Sequence, residues 1–138
     1  MINIFRITFL LSLIFTIDEG LLYDLNFRGY NAGESMLSIK KDSIDIESNY
    51  YLTSIIKTNK FLDRFYKIRD RVDVILNDED FSIIKVEKKL NQGGKKTNFT
   101  SIIDQENLTA SSNNKTISIP GRVFDPLGAI NYLRNQNL

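Results

Sequence analysis

Cysteine and histidine are both absent from this chain of 138 residues. The lack of cysteine excludes thiol nucleophiles, thiolate-bound zinc, iron–sulfur clusters and disulfide bonds. The lack of histidine removes the commonest general base and metal ligand, so Ser-His-Asp and Cys-His catalysis are both excluded. Proton chemistry is left to carboxylates, lysine and tyrosine. We therefore expect a protein that is not an enzyme and that has no metal and no cofactor.

An excess of one charge is also absent, because 18 lysine and arginine residues stand against 17 aspartate and glutamate residues. A protein that binds duplex nucleic acid usually concentrates basic residues that displace counterions, so we expect no nucleic-acid partner. The apolar fraction of 42% and the charged fraction of 25% are those of an ordinary folded domain. A chain of this size buries enough surface to fold without disulfides or metals.

One long apolar run, residues 7–17, follows Arg6. As a helix it would cross only about half of a hydrocarbon core roughly 30 Å thick, which is the length of a signal-peptide core. We expect residues 1–20 to be a signal peptide, cut after Gly20, and residues 21–138 to be a single β-rich domain that is periplasmic or otherwise exported. A buried first strand or helix is the alternative, because the small residues usual at a cleavage site are missing.

After this run the apolar residues alternate with polar ones. In YDLNF, Tyr23, Leu25 and Phe27 fall on one face, which predicts a half-buried strand. The following GYNAGES predicts a turn in which Gly29 and Gly33 supply positive φ. A second strand should then return alongside the first, which makes a hairpin.

Two further hairpins are predicted by their turn residues. SIIKVEKKL and KTNFTSIID flank a turn at Gly93 and Gly94, and a later turn falls at Asn113 and Asn114. The letters GKKT resemble the end of a phosphate-binding loop. They lack its leading glycine and lie between two strands, so we predict a turn there.

The segment IIKTNKFLDRFYKIRDRVDVIL fits two structures. At helical spacing it carries an apolar stripe beside a basic one, as in a helix that lies on a membrane surface. At strand spacing, Tyr66, Ile68 and Val72 fall on one face. The β-branched residues of its second half favour a strand there, with at most a short helical turn around residues 59–64.

A helix is predicted at the C-terminus, because Asp125 is a good N-cap and Pro126 suits the first turn. Leu127, Ile130 and Leu133 give that helix an apolar side. The predicted fold is therefore mainly β, an antiparallel sheet built from hairpins with one C-terminal helix.

Two stretches carry a family resemblance. LLYDLNFRGYNAGESMLSI is a tyrosine-led strand that runs into a glycine-rich turn, and ISIPGRVFDPLGAINYLR is an isoleucine-proline segment followed by an aspartate-led helix. In this order they resemble the bacterial exported family called domain of unknown function 3108. The residues that carry the resemblance are Tyr23, Gly29, Gly33, Pro120, Asp125, Pro126, Leu133 and Arg134.

The resemblance implies a location in the cell envelope and a curved antiparallel sheet, like a barrel or half-barrel. It brings no activity. Members of the family continue with more strands after this helix, so we expect the chain to be the N-terminal half to two-thirds of the domain, truncated at its C-terminus. An unpaired sheet edge would then be open to another chain.

The carboxylates give no strong catalytic or metal-binding pattern. Asp78, Glu79 and Asp80 lack the alternation and the glycine of a calcium loop, so we predict a solvated turn. Asp70 and Asp73 are three residues apart, which places them on opposite faces of a strand.

Aromatic residues are numerous, and we expect most of them in the core. The functional hypothesis is that inward-facing residues of a curved sheet bind a lipid-like or amphiphilic small molecule without catalysis. The candidate ligand-binding residues are Tyr23, Leu25, Phe27, Tyr66, Ile68 and Val72.

The alternative hypothesis is an envelope interaction or scaffold protein. It would use an exposed sheet edge and the basic, aromatic segment of residues 57–71. Its partner would be another envelope protein or a second copy of the chain.

Overall fold

One antiparallel sheet of eight strands makes up the fold. The structure, a computed structural model, describes residues 18–42, 48–126, 128 and 129. Each strand pairs with its neighbours in the sequence, so the sheet is a meander. The strands are β1 (Asp18–Phe27), β2 (Tyr30–Asp42), β3 (Asn49–Thr58), β4 (Arg69–Asn77), β5 (Ile83–Gln92), β6 (Lys95–Asp104), β7 (Thr109–Ser112) and β8 (Lys115–Ser118).

The prediction of a mainly β, antiparallel fold built from hairpins is confirmed. The described strands form an open sheet with β1 and β8 at its two edges, so they do not close into a barrel. No helix among the described residues is long and apolar enough to cross a membrane.

Only the start of the predicted C-terminal helix is described. Pro126, Gly128 and Ala129 are helical, and the backbone N–H of Ala129 donates to the carbonyl of Asp125 at 2.9 Å. The carboxylate of Asp125 also accepts from the N–H of Gly128 at 3.3 Å, as expected of an N-cap. The rest of that helix, with the family-motif residues Leu133 and Arg134, lies outside the described residues.

β1 crosses the expected signal-peptide boundary. Its first residues, 18–20, pair with residues 38–40 of β2, so a cut after Gly20 would fall inside the strand. The apolar run of residues 7–17 lies outside the described residues. The signal peptide therefore stays a prediction.

Three hairpin turns have two central residues with positive φ, the geometry of a type I′ turn. They lie at residues 28–29, 93–94 and 113–114. The glycine pair and the asparagine pair are therefore where the sequence predicts them. In the first hairpin the turn is formed by Arg28 and Gly29 alone, with φ of 49° and 83°.

Gly33 is not part of that turn, which corrects the prediction. It lies in β2, opposite Leu25 on one side and Thr58 on the other. A Cβ added at Gly33 would lie 2.2 Å from the carbonyl oxygen of Lys57 and 2.9 Å from the Cα of Thr58. Glycine is therefore required by the close approach of β3, and not by a positive φ.

The ambiguous segment forms the end of β3, the β3–β4 connection and most of β4, so the strand prediction for its second half is confirmed. A single turn of 3-10 helix, Leu62–Arg64, lies within the predicted short helical stretch. The apolar spacing that suggests a long helix comes from two different elements. Its aromatic residues lie in the connection and its aliphatic residues lie in β4, so they do not form one helix.

The core runs across the middle of the sheet. By strand register Ile39, Leu52, Val74 and Val86 lie directly opposite one another in β2 to β5. Leu52 is 1% exposed and Val74 is 2% exposed. Burial of each such side chain contributes roughly 1.5–3 kcal/mol.

The C-terminal motif packs beside the turn between β4 and β5. The N–H of Ile83 donates to the carbonyl of Val123 at 3.0 Å, and the side chain of Gln105 both donates to that carbonyl and accepts from the N–H of Val123, each at 3.1 Å. A Cβ added at Gly128 would lie 2.9 Å from Cδ1 of Leu76. This segment therefore covers one end of the core.

The expectation that most aromatic residues lie in the core is wrong. Phe81 is buried and stacks on Tyr50 with ring centroids 4.7 Å apart, whereas the core around it is aliphatic. The aromatic residues that are largely exposed are Tyr23, Phe27, Tyr30, Tyr51, Phe61, Phe65, Tyr66, Phe99 and Phe124.

Candidate functional site

The turns that follow odd-numbered strands meet at one end of the sheet, because consecutive strands of a meander run in opposite directions. The N–H of Gly93 donates to the carbonyl of Lys67 at 2.9 Å, which joins the β5–β6 turn to the β3–β4 connection. The ring of Tyr66 lies against Gly93, where an added Cβ would be 2.5 Å from it. We call this end the basic end. Its exposed cations are Arg28, Lys60, Arg64, Lys67, Lys95 and Lys96.

A groove of about 260 Å³ opens at the basic end, between the β1–β2 turn and the β3–β4 connection. We call it the aromatic groove. Phe27, Tyr30 and Phe61 give it exposed aromatic walls, with exposed fractions of 68%, 78% and 61%. The full lining is Phe27, Arg28, Tyr30, Asn31, Ala32, Phe61 and Leu62.

Asn59 holds the two walls of the groove together. Its N–H donates to the carbonyl of Ala32 at 3.0 Å, and its side-chain amide donates to the side-chain oxygen of Asn31 at 3.2 Å. Its own side-chain oxygen accepts from the N–H groups of Phe61 and Leu62, at 3.0 Å and 2.9 Å. One residue therefore fixes the connection to β2 and also caps the 3-10 turn.

A paired Asp63 and Arg69 fix the other side of the connection. Nη1 and Nη2 of Arg69 donate to the two carboxylate oxygens of Asp63 at 3.0 Å and 2.6 Å, and the hydroxyl of Thr58 donates to it at 2.5 Å. The hydrogen bonds from Arg69, and then from Thr58, hold the pKa of Asp63 below its usual value. The loop that carries Phe61 and Leu62 is thus attached at both ends.

The candidate ligand-binding residues predicted from the sequence do not all meet at this groove. Phe27 lines the groove. Tyr66 belongs to the β3–β4 connection, and its ring lies over Gly93. The strand register places the other four on one face of the sheet, where Val72 packs against the core. These four are Tyr23, Leu25, Ile68 and Val72.

The sequence prediction missed Tyr30, Ala32 and Asn59. A usable signal for Tyr30 was the turn itself: a two-residue turn at residues 28–29 makes Tyr30 the direct partner of Phe27. No local signal connects Asn59 with Asn31, because the two are 28 residues apart in the chain.

A second groove, of about 270 Å³, lies on the opposite face of the sheet and is lined by charged side chains. Nε of Arg71 donates to Asp73 at 2.7 Å, and Lys85 pairs with Glu87 at 2.6 Å. The hydrogen bond from Arg71 is the main cause that lowers the pKa of Asp73. Because these charges neutralise one another within the groove, the aromatic groove is the stronger candidate for a ligand.

Asp70 and Asp73 lie on opposite faces of β4, which confirms the prediction. Asp70 accepts from the N–H of Asn91 at 2.9 Å, whereas Asp73 accepts from the hydroxyl of Thr53 at 2.7 Å. The two carboxylates therefore cannot act on one substrate atom.

The acidic turn after β4 spreads its carboxylates among separate partners. Asp78 accepts from the hydroxyl of Ser48, and Asp80 pairs with Arg122. The hydrogen bond from Ser48 is the main cause that lowers the pKa of Asp78. Among the described residues no three acidic side chains come together in a way that could hold a metal ion.

Taken together, the fold and the groove define a class of open antiparallel meander with an apolar groove at one end of the sheet. A family model described as "Protein of unknown function (DUF3108)" matches residues 22–138. The chain therefore belongs to the DUF3108 family, which confirms the resemblance carried by its two sequence motifs. No curated protein and no solved structure matches the chain.

Proposed function

We propose that this protein binds the apolar part of an amphiphilic small molecule in the aromatic groove, without catalysis. The observation that carries the proposal is a groove walled by exposed aromatic side chains and held in shape by Asn59. Monomeric proteins rarely expose large contiguous apolar patches, and the largest patch on such a protein often serves binding.

The size of the groove limits the ligand. Sites that enclose drug-sized molecules span roughly 300–1,000 Å³, and this groove, at about 260 Å³, lies just below that range. It suits one alkyl chain, and it is too small for the several chains of a membrane lipid. The ligand class is therefore a single-chain amphiphile.

The charge at the groove mouth indicates the head group. The guanidinium of Arg28 lies 5.4 Å from the ring centroid of Phe27, so a cation stands beside the apolar wall. Guanidinium groups bind carboxylate and phosphate strongly and with defined geometry. A fatty acid or a similar anionic amphiphile fits this pairing.

The test is a fluorescence titration with a dansyl-labelled undecanoic acid. Phe27→Asp places a carboxylate in the groove wall beside the bound chain, so we expect the Kd to rise ten-fold or more. Leu22→Asp is the matched control, because Leu22 lies on the same strand, is equally exposed at 68% and is outside the groove. Equal affinity of both variants and the unchanged chain would reject the proposal, provided that circular dichroism shows all three folded.

We also propose that the protein acts after export, in the cell envelope. The support is the order of Arg6, the apolar run of residues 7–17 and the polar break that follows. N-terminal sequencing of the chain recovered from the periplasm of a bacterial host should find the run removed. An intact chain retained in the cytoplasm would contradict this.

A second candidate function is interaction through the edge of the sheet. All four residues of β8 are exposed, and no described strand lies beyond it. Such an edge can accept an extended segment of a partner by strand addition. Size-exclusion chromatography with envelope extract should then show a partner-dependent shift, and an unchanged monomer would exclude this function.

A further inference from the structure

Exposed cations and carboxylates are distributed unevenly between the two ends of the sheet, although the formal net charge of the chain is only +1. The end with the turns after even-numbered strands holds Asp78, Glu79, Asp80, Asp104 and Glu106, and two of these carboxylates, Asp78 and Asp80, pair with Lys41 and Arg122. The exposed cations of the turns after odd-numbered strands define the basic end. The near-neutral total therefore conceals a polarised molecule.

Most cations of the basic end are unneutralised. Within the described ranges, salt bridges join Lys57 to Glu34 at 2.9 Å and Arg69 to Asp63 at 2.6 Å, so both of these carboxylates are already paired. Asp24 is a nearby carboxylate on β1. The exposed cations of the basic end that form no salt bridge with any described residue are Arg28, Lys60, Arg64, Lys67, Lys95 and Lys96.

Aromatic side chains are interspersed with these cations. Five of them, on the β1–β2 hairpin and the β3–β4 connection, are between 52% and 78% exposed. Phe61 and Phe65 meet edge to face with centroids 5.6 Å apart, so they form one raised apolar patch. The five are Phe27, Tyr30, Phe61, Phe65 and Tyr66.

We propose that the basic end docks on the surface of an anionic lipid bilayer. Exposed aromatic residues insert at the level of the lipid head groups, and cations beside them are attracted by anionic lipid. Four of these six cations are lysine. Lysine is depleted in protein–protein interfaces, where arginine is enriched, so this composition favours a bilayer over an acidic protein.

Docking would place the mouth of the aromatic groove at the lipid head groups, because both lie at the same end. The docking surface shares Phe27, Tyr30 and Phe61 with the groove. Lys95, Lys96 and Phe65 do not line the groove, so changes there test the docking without altering the ligand site.

The experiment measures sedimentation of the full chain with phosphatidylcholine vesicles, with and without phosphatidylglycerol. The double change Lys95→Glu and Lys96→Glu should lower the partition coefficient on anionic vesicles at least ten-fold, because each adjacent cation is worth roughly five-fold. Added salt should weaken binding further.

The matched control is the double change Lys88→Glu and Lys89→Glu. It alters the net charge equally, on the same hairpin, at exposed positions within β5 and away from the turn. Binding should fall no more than two-fold. An equal fall in both double variants would show that overall charge suffices, and the docking surface would be rejected.

The apolar contribution is tested by Phe65→Ser, which should weaken binding to anionic vesicles several-fold in a chain that stays folded. If Phe65→Ser bound anionic vesicles as strongly as the unchanged chain, the proposal would be overturned. So would a chain that ignores vesicles and binds soluble polyglutamate through Lys95 and Lys96, because that result identifies an acidic protein partner.

Discussion

Gly33 was singled out from the sequence as a turn residue, but the tertiary structure gives a different reason for a glycine at this position. Its neighbourhood suggests a turn, yet it lies in β2 with the carbonyl of Lys57 where a Cβ would be. Gly33 and its partner Thr58 are more than twenty residues apart in the chain, so no local pattern contains this contact.

Gly33→Ala should lower the free energy of unfolding by about 1–3 kcal/mol, because backbone must move to admit the methyl group. Gly121→Ala is the control, since no heavy atom lies within 4 Å of its added Cβ. Urea denaturation followed by circular dichroism measures both. An unchanged midpoint for Gly33→Ala would mean that β2 and β3 do not approach as closely as described.

Asn59 acts on the site through other residues, as its hydrogen bonds to Asn31, Phe61 and Leu62 show. Asn59→Ala should cost about 1 kcal/mol, the usual cost of losing a cap. Amide hydrogen exchange of Phe61 and Leu62 should accelerate more than that of Val74 in the core. Uniform acceleration across the chain would instead indicate a general loss of stability.

Among the elements, the hairpins were the most predictable part of the fold. Alternating polarity and paired glycines or asparagines are local signals, and the turns at residues 93–94 and 113–114 follow from them. The β3–β4 connection was ambiguous because the spacing of its apolar residues fits both a helix and a strand. The aromatic groove could not be predicted, since its walls come from two elements joined by Asn59 across 28 residues.

Two carboxylates, one in the β3–β4 connection and one in β4, should make the free energy of unfolding fall in acid. Asp63 and Asp73 have pKa values lowered by Arg69 and Arg71 respectively, whereas an unfolded aspartate titrates near about 3.9. A lowered folded pKa stabilises the fold above the unfolded value, and this stabilisation is lost as the pH falls through the folded value. We therefore expect the urea midpoint to change little from pH 7 to 5 and to fall below about pH 4.

Asp63→Asn should remove part of this acid sensitivity while lowering the midpoint at neutral pH. Asp24→Asn is the control, because the side chain of Asp24 forms no hydrogen bond or salt bridge with any residue of the described ranges. An acid profile of Asp63→Asn identical in shape to that of the unchanged chain would contradict the role of the Asp63 and Arg69 pair.

At the scale of the whole molecule, the meander converts a nearly neutral sequence into a polarised one. Alternate turns fall at opposite ends of the sheet, so exposed cations without a salt bridge collect at the basic end, whereas Asp78 and Asp80 at the other end pair with Lys41 and Arg122. The near-neutral net charge led us to expect no nucleic-acid partner, but it gave no sign of this uneven distribution of charge.

The distribution of aromatic residues follows the same division. Aliphatic residues of β2 to β5 fill the core, and most of the largest side chains remain exposed, several of them at the basic end. Composition alone predicts the reverse, because aromatic residues usually dominate such cores. Their exposure is what turns one end of a simple sheet into a candidate binding surface.

The most direct test of the central proposal is a backbone amide NMR titration of the isotope-labelled chain with decanoate. Binding in the aromatic groove predicts that chemical-shift changes concentrate at Phe27, Ala32, Phe61 and their neighbours in its lining. A spectrum without changes, or changes largest at Leu22 on the other side of the sheet, would contradict the proposal.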